Sequence, residues 1–137
     1  MGLNQTVSDR LQKLEANLAE LGKFRTEWTS DQITSDTSKQ WAIRYGIFES
    51  IQIVIDCACH IVSERNLGNP NTYLDCLKLI QKFHYINDEL LQSLKPIIGL
   101  RNILIHEYID IELDQLISDL TDLSPFHQFI TQVQNSY

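Results

Sequence analysis

Residues 37–65 read TSKQWAIRYGIFESIQIVIDCACHIVSER. At 100° per residue, Trp41, Tyr45, Phe48, Ile51, Ile55, Ala58, Cys59 and Val62 fall on one face of a helix, and Ile43, Ile47, Val54 and Ile61 widen it. A helix apolar over so much of its circumference must be covered on two sides, so it is either the centre of a bundle or shared with a second subunit. Asn66-Leu67-Gly68-Asn69-Pro70 ends it, with Gly past the last turn and Pro soon after.

The flanking sequence has the same period. Leu3, Val7, Leu11, Leu14, Leu18 and Leu21 step by four, four, three, four and three, which predicts a helix from about Asn4 to about Glu27. The polar stretch Thr29–Ser38 reads as a loop. Downstream, Thr72 caps a shorter helix with Tyr73, Leu77, Ile80 and Phe83 facing inward. Asn87-Asp88-Glu89 opens another, running through Leu90, Leu91, Leu94, Ile97 and Ile98, which Pro96 should kink or divide. Asp110 caps a helix over about 111–122, and Ser124-Pro125 starts the last. No stretch alternates as a strand does, and nothing repeats. The expected fold is an all-α bundle of about five helices forming a single domain over residues 1–137.

Composition agrees with this reading: of 137 residues, 43% are apolar and 21% charged, ordinary values for a globular domain. No apolar run approaches the roughly 20 residues of a membrane span and no signal peptide opens the chain, so a cytoplasmic location without membrane association is expected. Three cysteines, Cys57, Cys59 and Cys76, are odd in number and unframed, which predicts unpaired thiols in a reducing compartment.

The net charge is −7, and residues 97–137 carry one base, Arg101, against Glu107, Asp110, Glu112, Asp114, Asp119 and Asp122. Such a tail is a poor footprint for non-specific binding to long nucleic acid. The acids form either a solvated face or a docking surface for a basic partner. Against them, Arg101 stands out.

Around it, Gly99-Leu100-Arg101-Asn102-Ile103-Leu104-Ile105-His106-Glu107-Tyr108 sets polar groups into an apolar run. On a helix, Arg101 and Tyr108 share nearly one line, while Asn102 and His106 share a second about 100° round, within reach of a long arginine. That set suits phosphodiester chemistry. A guanidinium matches phosphate oxygens and stabilises charge building on phosphorus, and an imidazole can take a proton from a ribose 2′-hydroxyl or give one to the leaving oxygen. Internal 2′-hydroxyl attack needs no metal, though it profits from both a base and an acid, which two copies of the segment would supply. The plainer alternative is that His106 satisfies a helix end and Arg101 pairs with a tail acid.

These residues, with Glu49-Ser50-Ile51-Gln52, Ile55-Asp56 and Gly68-Asn69-Pro70-Asn71-Thr72-Tyr73 before them and Asp110 after, resemble the HEPN superfamily, and more closely its HepT-like toxins. The resemblance covers about Ile47 to Leu116 and culminates in Arg, four residues, His, one residue, Tyr. It implies a helical bundle that pairs into a homodimer through its long helices, with both motifs lining one cleft. It further implies metal-independent cleavage of RNA, tRNA or mRNA, with Arg101 and His106 catalytic and Asn102 supporting them. The implied partner is an MNT nucleotidyltransferase antitoxin of a type VII-like toxin–antitoxin system. Using ATP as donor, that partner would place AMP on Tyr108 and so silence the toxin. The toxin itself would need no cofactor and no metal. The acidic balance favours a narrow, folded RNA target.

Other residues carry weaker signals. Asp56 interrupts an apolar face and needs partners, either orienting Arg101 across the core or capping a buried network. Cys57-Ala58-Cys59-His60 has metal-like spacing, but on a helix Cys57 and Cys59 diverge by 200°, which favours buried filler over zinc. His84 and His127 read as surface residues. No Gly-rich phosphate loop is present, so ATP binding of the P-loop kind is not expected. The aromatic side of residues 37–65 reads as core or dimer interface. Two rival functions remain: a non-catalytic HEPN module binding nucleotide or RNA, and the substrate-binding subunit of a partner nucleotidyltransferase.

Overall fold

The structure, a computed structural model, describes residues 5–106 and 122–137. Six helices make up these residues, with no strand among them: α1 (Gln5–Glu27), α2 (Ser30–Thr34), α3 (Thr37–Arg65), α4 (Tyr73–Lys82), α5 (Asp88–His106) and α6 (Ser124–Ser136). The all-α expectation holds. The helix expected over 111–122 and its Asp110 cap lie outside the described residues, as does Leu3.

Local signals set most of the boundaries. Asp36 caps α3 by accepting from the Ser38 and Lys39 amides. Thr72 and Asp75 cap α4 reciprocally, side chain to backbone in both directions. The Asn87 side chain accepts from the Leu90 amide at the start of α5. Two expectations, on the loop and on Pro96, need correction. The supposed loop Thr29–Ser38 contains α2, because Thr29 and Gln32 form a capping box and Ile33 buries itself. α3 ends at Arg65, where the pattern ends it, and the next residue, Asn66, is left-handed at φ 55°; Asn tolerates this conformation because its short side chain bonds locally. Pro96 does not divide α5, which runs unbroken from Asp88 to His106.

α3 lies at the centre, packed against α1, α2, α4, α5 and α6. By length and composition it could cross a membrane, contrary to the reading of the sequence, but its apolar residues form the bundle core: Ile43, Ile47, Ile51, Val54, Ile55, Ala58, Ile61 and Val62 are all buried. Val7, Leu11, Leu14, Leu18 and Leu21 of α1 meet them. At Gly46 the two helices come so close that a Cβ would stand 2.9 Å from a Leu21 methyl. The aromatic side of α3 departs from the core: Trp41 and Tyr45 are 65% and 63% exposed. Tyr73 and Phe83, expected to face inward, are also exposed, while Leu77 and Ile80 carry the packing of α4. At the other end of α3, the Tyr137 hydroxyl donates to Glu64 at 2.7 Å and its ring lies under the Arg65 guanidinium, fixing the chain end after α6.

The cysteine reading is overturned in one respect. Cys59 and Cys76 form a disulfide between α3 and α4, their Cα atoms 5.0 Å apart, while Cys57 is free and buried. The antiparallel turn from α3 into α4 brings the two sulfurs together, which spacing along the sequence alone does not reveal. Burial pushes the Cys57 thiol up to about 12, so it offers no thiolate for exchange or metal binding. The bond closes a separation of 17 residues, a constraint worth about 3 kcal/mol on the unfolded chain. Urea denaturation should therefore show stability falling by about that much on reduction, with no reductant effect in Cys59→Ala/Cys76→Ala. Equal midpoints with and without reductant would count against the bond.

Candidate functional site

Polar side chains gather where α3, α4 and α5 meet. Arg101, half-buried on α5, leaves its own helix and reaches across to α3, where its Nε donates to Gln52 Oε1 at 2.7 Å. Gln52 in turn donates from Nε2 to Asp56 Oδ1 at 2.9 Å, one turn further along α3. The guanidinium carbon lies 4.8 Å from the Tyr73 ring centroid and 6.0 Å from that of Phe48. Arg101 Nη1 also donates, at 3.3 Å, to the exposed Asn102 Oδ1. A hydrogen bond to a charged group contributes about 1.5–3 kcal/mol and a partly exposed cation–π contact about 0.5–1. The Gln52 bond therefore fixes the guanidinium, and the rings form its bed.

None of the ion pairs among the described residues includes Arg101. The nearby Glu49 is engaged elsewhere. It accepts from Asn17 Nδ2 and the Tyr45 hydroxyl, both at 2.8 Å, with Lys13 at 3.6 Å. These contacts, the Asn17 hydrogen bond foremost, hold its carboxyl below the usual range, and the Tyr45 bond to Glu49 raises the phenol. Among the described residues, then, Arg101 is positioned by a neutral amide and bonded by no carboxylate. A cation held in this way is suited to meet an anion such as phosphate.

Of the residues singled out in sequence, Arg101 and Asn102 are brought together, and His106 follows on the same unbroken helix, four positions after Asn102. Tyr108 lies outside the described residues, as do Glu107, Asp110, Glu112, Asp114 and Asp119. Asp122 is exposed and accepts from Ser124. Asp56 does act toward Arg101, but through Gln52 rather than directly. His84 and His127 are exposed. Among the described residues no three His, Cys, Asp or Glu side chains are grouped to hold a metal ion. Sequence reasoning misses Gln52, whose spacing of four from Asp56 on an apolar helix is the available signal. It also misses Tyr73, which the helical period assigns to the core.

Beside this site, Trp41, Arg44, Tyr45, Phe48 and Leu104 line an open groove of about 240 Å³, in which the buried Arg44 Nε has no partner among the described residues. Phe48 belongs to both, so the aromatic side of α3 leads directly to Arg101.

Residues 14–133 match the family described as Ribonuclease HepT-like. The chain is 30% identical over 104 residues to the mRNA nuclease HepT of Shewanella oneidensis, covering 75% of this chain and 78% of that protein. It is 29% identical over 133 residues to the tRNA nuclease HepT of Aphanizomenon flos-aquae, covering 96% and 88%. In fold it is similar to a tri-AMPylated HEPN toxin of Shewanella oneidensis solved in complex with its MNT antitoxin, with a TM-score of 0.88 and 23% identity over 98% of this chain and 100% of that one.

Proposed function

The chain belongs to the Ribonuclease HepT-like family, and from that premise we propose that it is a HEPN toxin that cleaves cellular RNA in the cytoplasm without a metal ion. Residues 1–137 serve as one HEPN domain. The observation that carries this reading is the Arg101 guanidinium, fixed by Gln52 and free of any carboxylate among the described residues, on the helix that also bears His106. In the proposed reaction a ribose 2′-hydroxyl attacks the adjacent phosphorus. His106 takes the hydroxyl proton or delivers one to the departing 5′-oxygen, leaving a 2′,3′-cyclic phosphate and a 5′-hydroxyl. Arg101 meets the charge that grows on the non-bridging oxygens, and Asn102 supports the pair.

A single copy has one imidazole for two proton transfers, and a homodimer supplies the second. The exposed aromatic side of α3 and its groove favour this pairing, because apolar surface beside a functional cation needs cover and a twin chain would bring both Arg101 residues to one cleft. Its partner is an MNT nucleotidyltransferase antitoxin, which transfers AMP from ATP onto the Tyr108 oxygen with release of pyrophosphate; the toxin itself needs no cofactor.

The test uses purified chain, its dimeric state checked by light scattering, with tRNA and with mRNA in excess chelator. Cleavage that leaves cyclic phosphate ends is expected. RNA binding without cleavage would favour the non-catalytic module instead. Cleavage that disappears with chelator would exclude the metal-free route.

A further inference from the structure

Arg101, Gln52 and Asp56 form a one-way chain of hydrogen bonds, and the chemistry of its two ends fixes the middle. An ionised carboxylate only accepts and a guanidinium only donates, so just one orientation of the Gln52 amide satisfies both: Nε2 toward Asp56, Oε1 toward Arg101. The Asp56 charge polarises the amide and strengthens its oxygen as an acceptor, while the amide keeps that charge from bonding the guanidinium directly. A carboxylate in direct contact would form a two-pronged pair and compete with any phosphate for the same donors. From this geometry we infer that Gln52, oriented by Asp56, is a positioning residue that anchors Arg101 through Nε alone and leaves Nη1 and Nη2, with an undiminished charge, for the phosphate of the RNA. Nη1 needs only to release its long 3.3 Å bond to Asn102. Tyr73 and Phe48 limit the swing of the plane.

This inference rests on the ribonuclease reading for its substrate but not for its geometry, and the experiment separates the two. The full chain is compared with Gln52→Leu, Gln52→Glu and Asp56→Asn, each checked by thermal melting. Two quantities are read: the kinetics of RNA cleavage, and the nitrogen–proton NMR signal of the Arg101 Nε–H, assigned by its loss in Arg101→Lys. The wild type should show a slowly exchanging Nε–H. Gln52→Leu should lose that signal and about 10²-fold in kcat, the scale of a misplaced reacting group, with KM moving less. Asp56→Asn should lose on the order of 10-fold, as when an orienting partner behind a functional group is weakened. Gln52→Glu discriminates most sharply. It keeps an acceptor for the Nε–H but loses the bond to Asp56 and pairs with the cation, so it should lose activity with a raised KM while the Nε–H signal persists, whereas Gln52→Leu loses the signal and lowers kcat.

Gln52→Leu with an unchanged signal and kcat overturns the inference, and so does a fully active Gln52→Glu. A wild-type chain that shows the signal, loses it in Gln52→Leu and cuts no RNA upholds the positioning and removes the ribonuclease reading.

Discussion

Arg101→Ala should slow RNA cleavage by about 10²–10³-fold, the loss seen when one preorganised donor is taken from a transition state that gathers charge. The side chain is held for that role in advance. Nε is spent on Gln52, the plane rests against Tyr73 and Phe48, and no carboxylate among the described residues draws on the charge. Arg101→Lys should not restore the rate, because an ammonium is a single point of charge. It cannot hold the Gln52 oxygen with one edge and present a planar pair of donors with another. His106→Ala should cost about 10²–10⁴-fold through lost proton transfer. The double variant should fall little below the worse single one, since the two groups serve one transition state. Single-turnover cleavage in chelator, with circular dichroism to show that each variant folds, measures all four. An Arg101→Lys chain as fast as the wild type would show that charge alone suffices and that the anchored geometry has no catalytic meaning.

Why the sequence announces Arg101 and not its support follows from the kind of signal each leaves. Helix extents depend on local chemistry: the caps at Asp36, Thr72 and Asn87 and the apolar period of α1 from Val7 to Leu21 each act within a few residues, so α3 begins and ends where the pattern puts it. A lone base in an acidic tail is likewise visible without a fold. Gln52 is not, because a glutamine on a helix looks solvated until another helix delivers a cation to it across 49 positions. The Cys59–Cys76 bond has the same origin, being made by the α3–α4 turn rather than by spacing. Tyr73, expected to face inward, goes the other way, and for Trp41 and Tyr45 the structure removes the core alternative and leaves that of an interface. Aromatic residues at helical spacing usually mean core, but here the core of α3 is completed by Ile43, Ile47, Ile51 and Val54, and the rings are left on the side that borders Arg101. Apolar surface left beside a polar site is itself informative, since such patches mark places where another molecule binds.

With the antitoxin and ATP present, Tyr108→Phe should remain fully active on RNA while the unsubstituted chain falls silent. Tyr108 follows His106 by two positions and Arg101 by seven, and an adenylyl group on its oxygen would add a phosphodiester and a nucleoside to the same short segment of chain as the proposed catalytic pair. A phosphate tethered there competes for Arg101 at an effective concentration on the order of mM, about 10³ above an RNA supplied at µM, and residual cleavage near 1% or less is expected. Among the described residues no carboxylate competes with the attached anion for the Arg101 guanidinium. Intact mass should rise in whole AMP units for the unsubstituted chain and stay constant for Tyr108→Phe. Arg101→Ala should still gain AMP, since the guanidinium serves the RNA and not the acceptor oxygen. A Tyr108→Phe chain that accepts AMP and is silenced would move the modification elsewhere. One that accepts none yet is silenced would place inhibition in the antitoxin's grip alone, and charge at the Arg101 rim would then have no part in it.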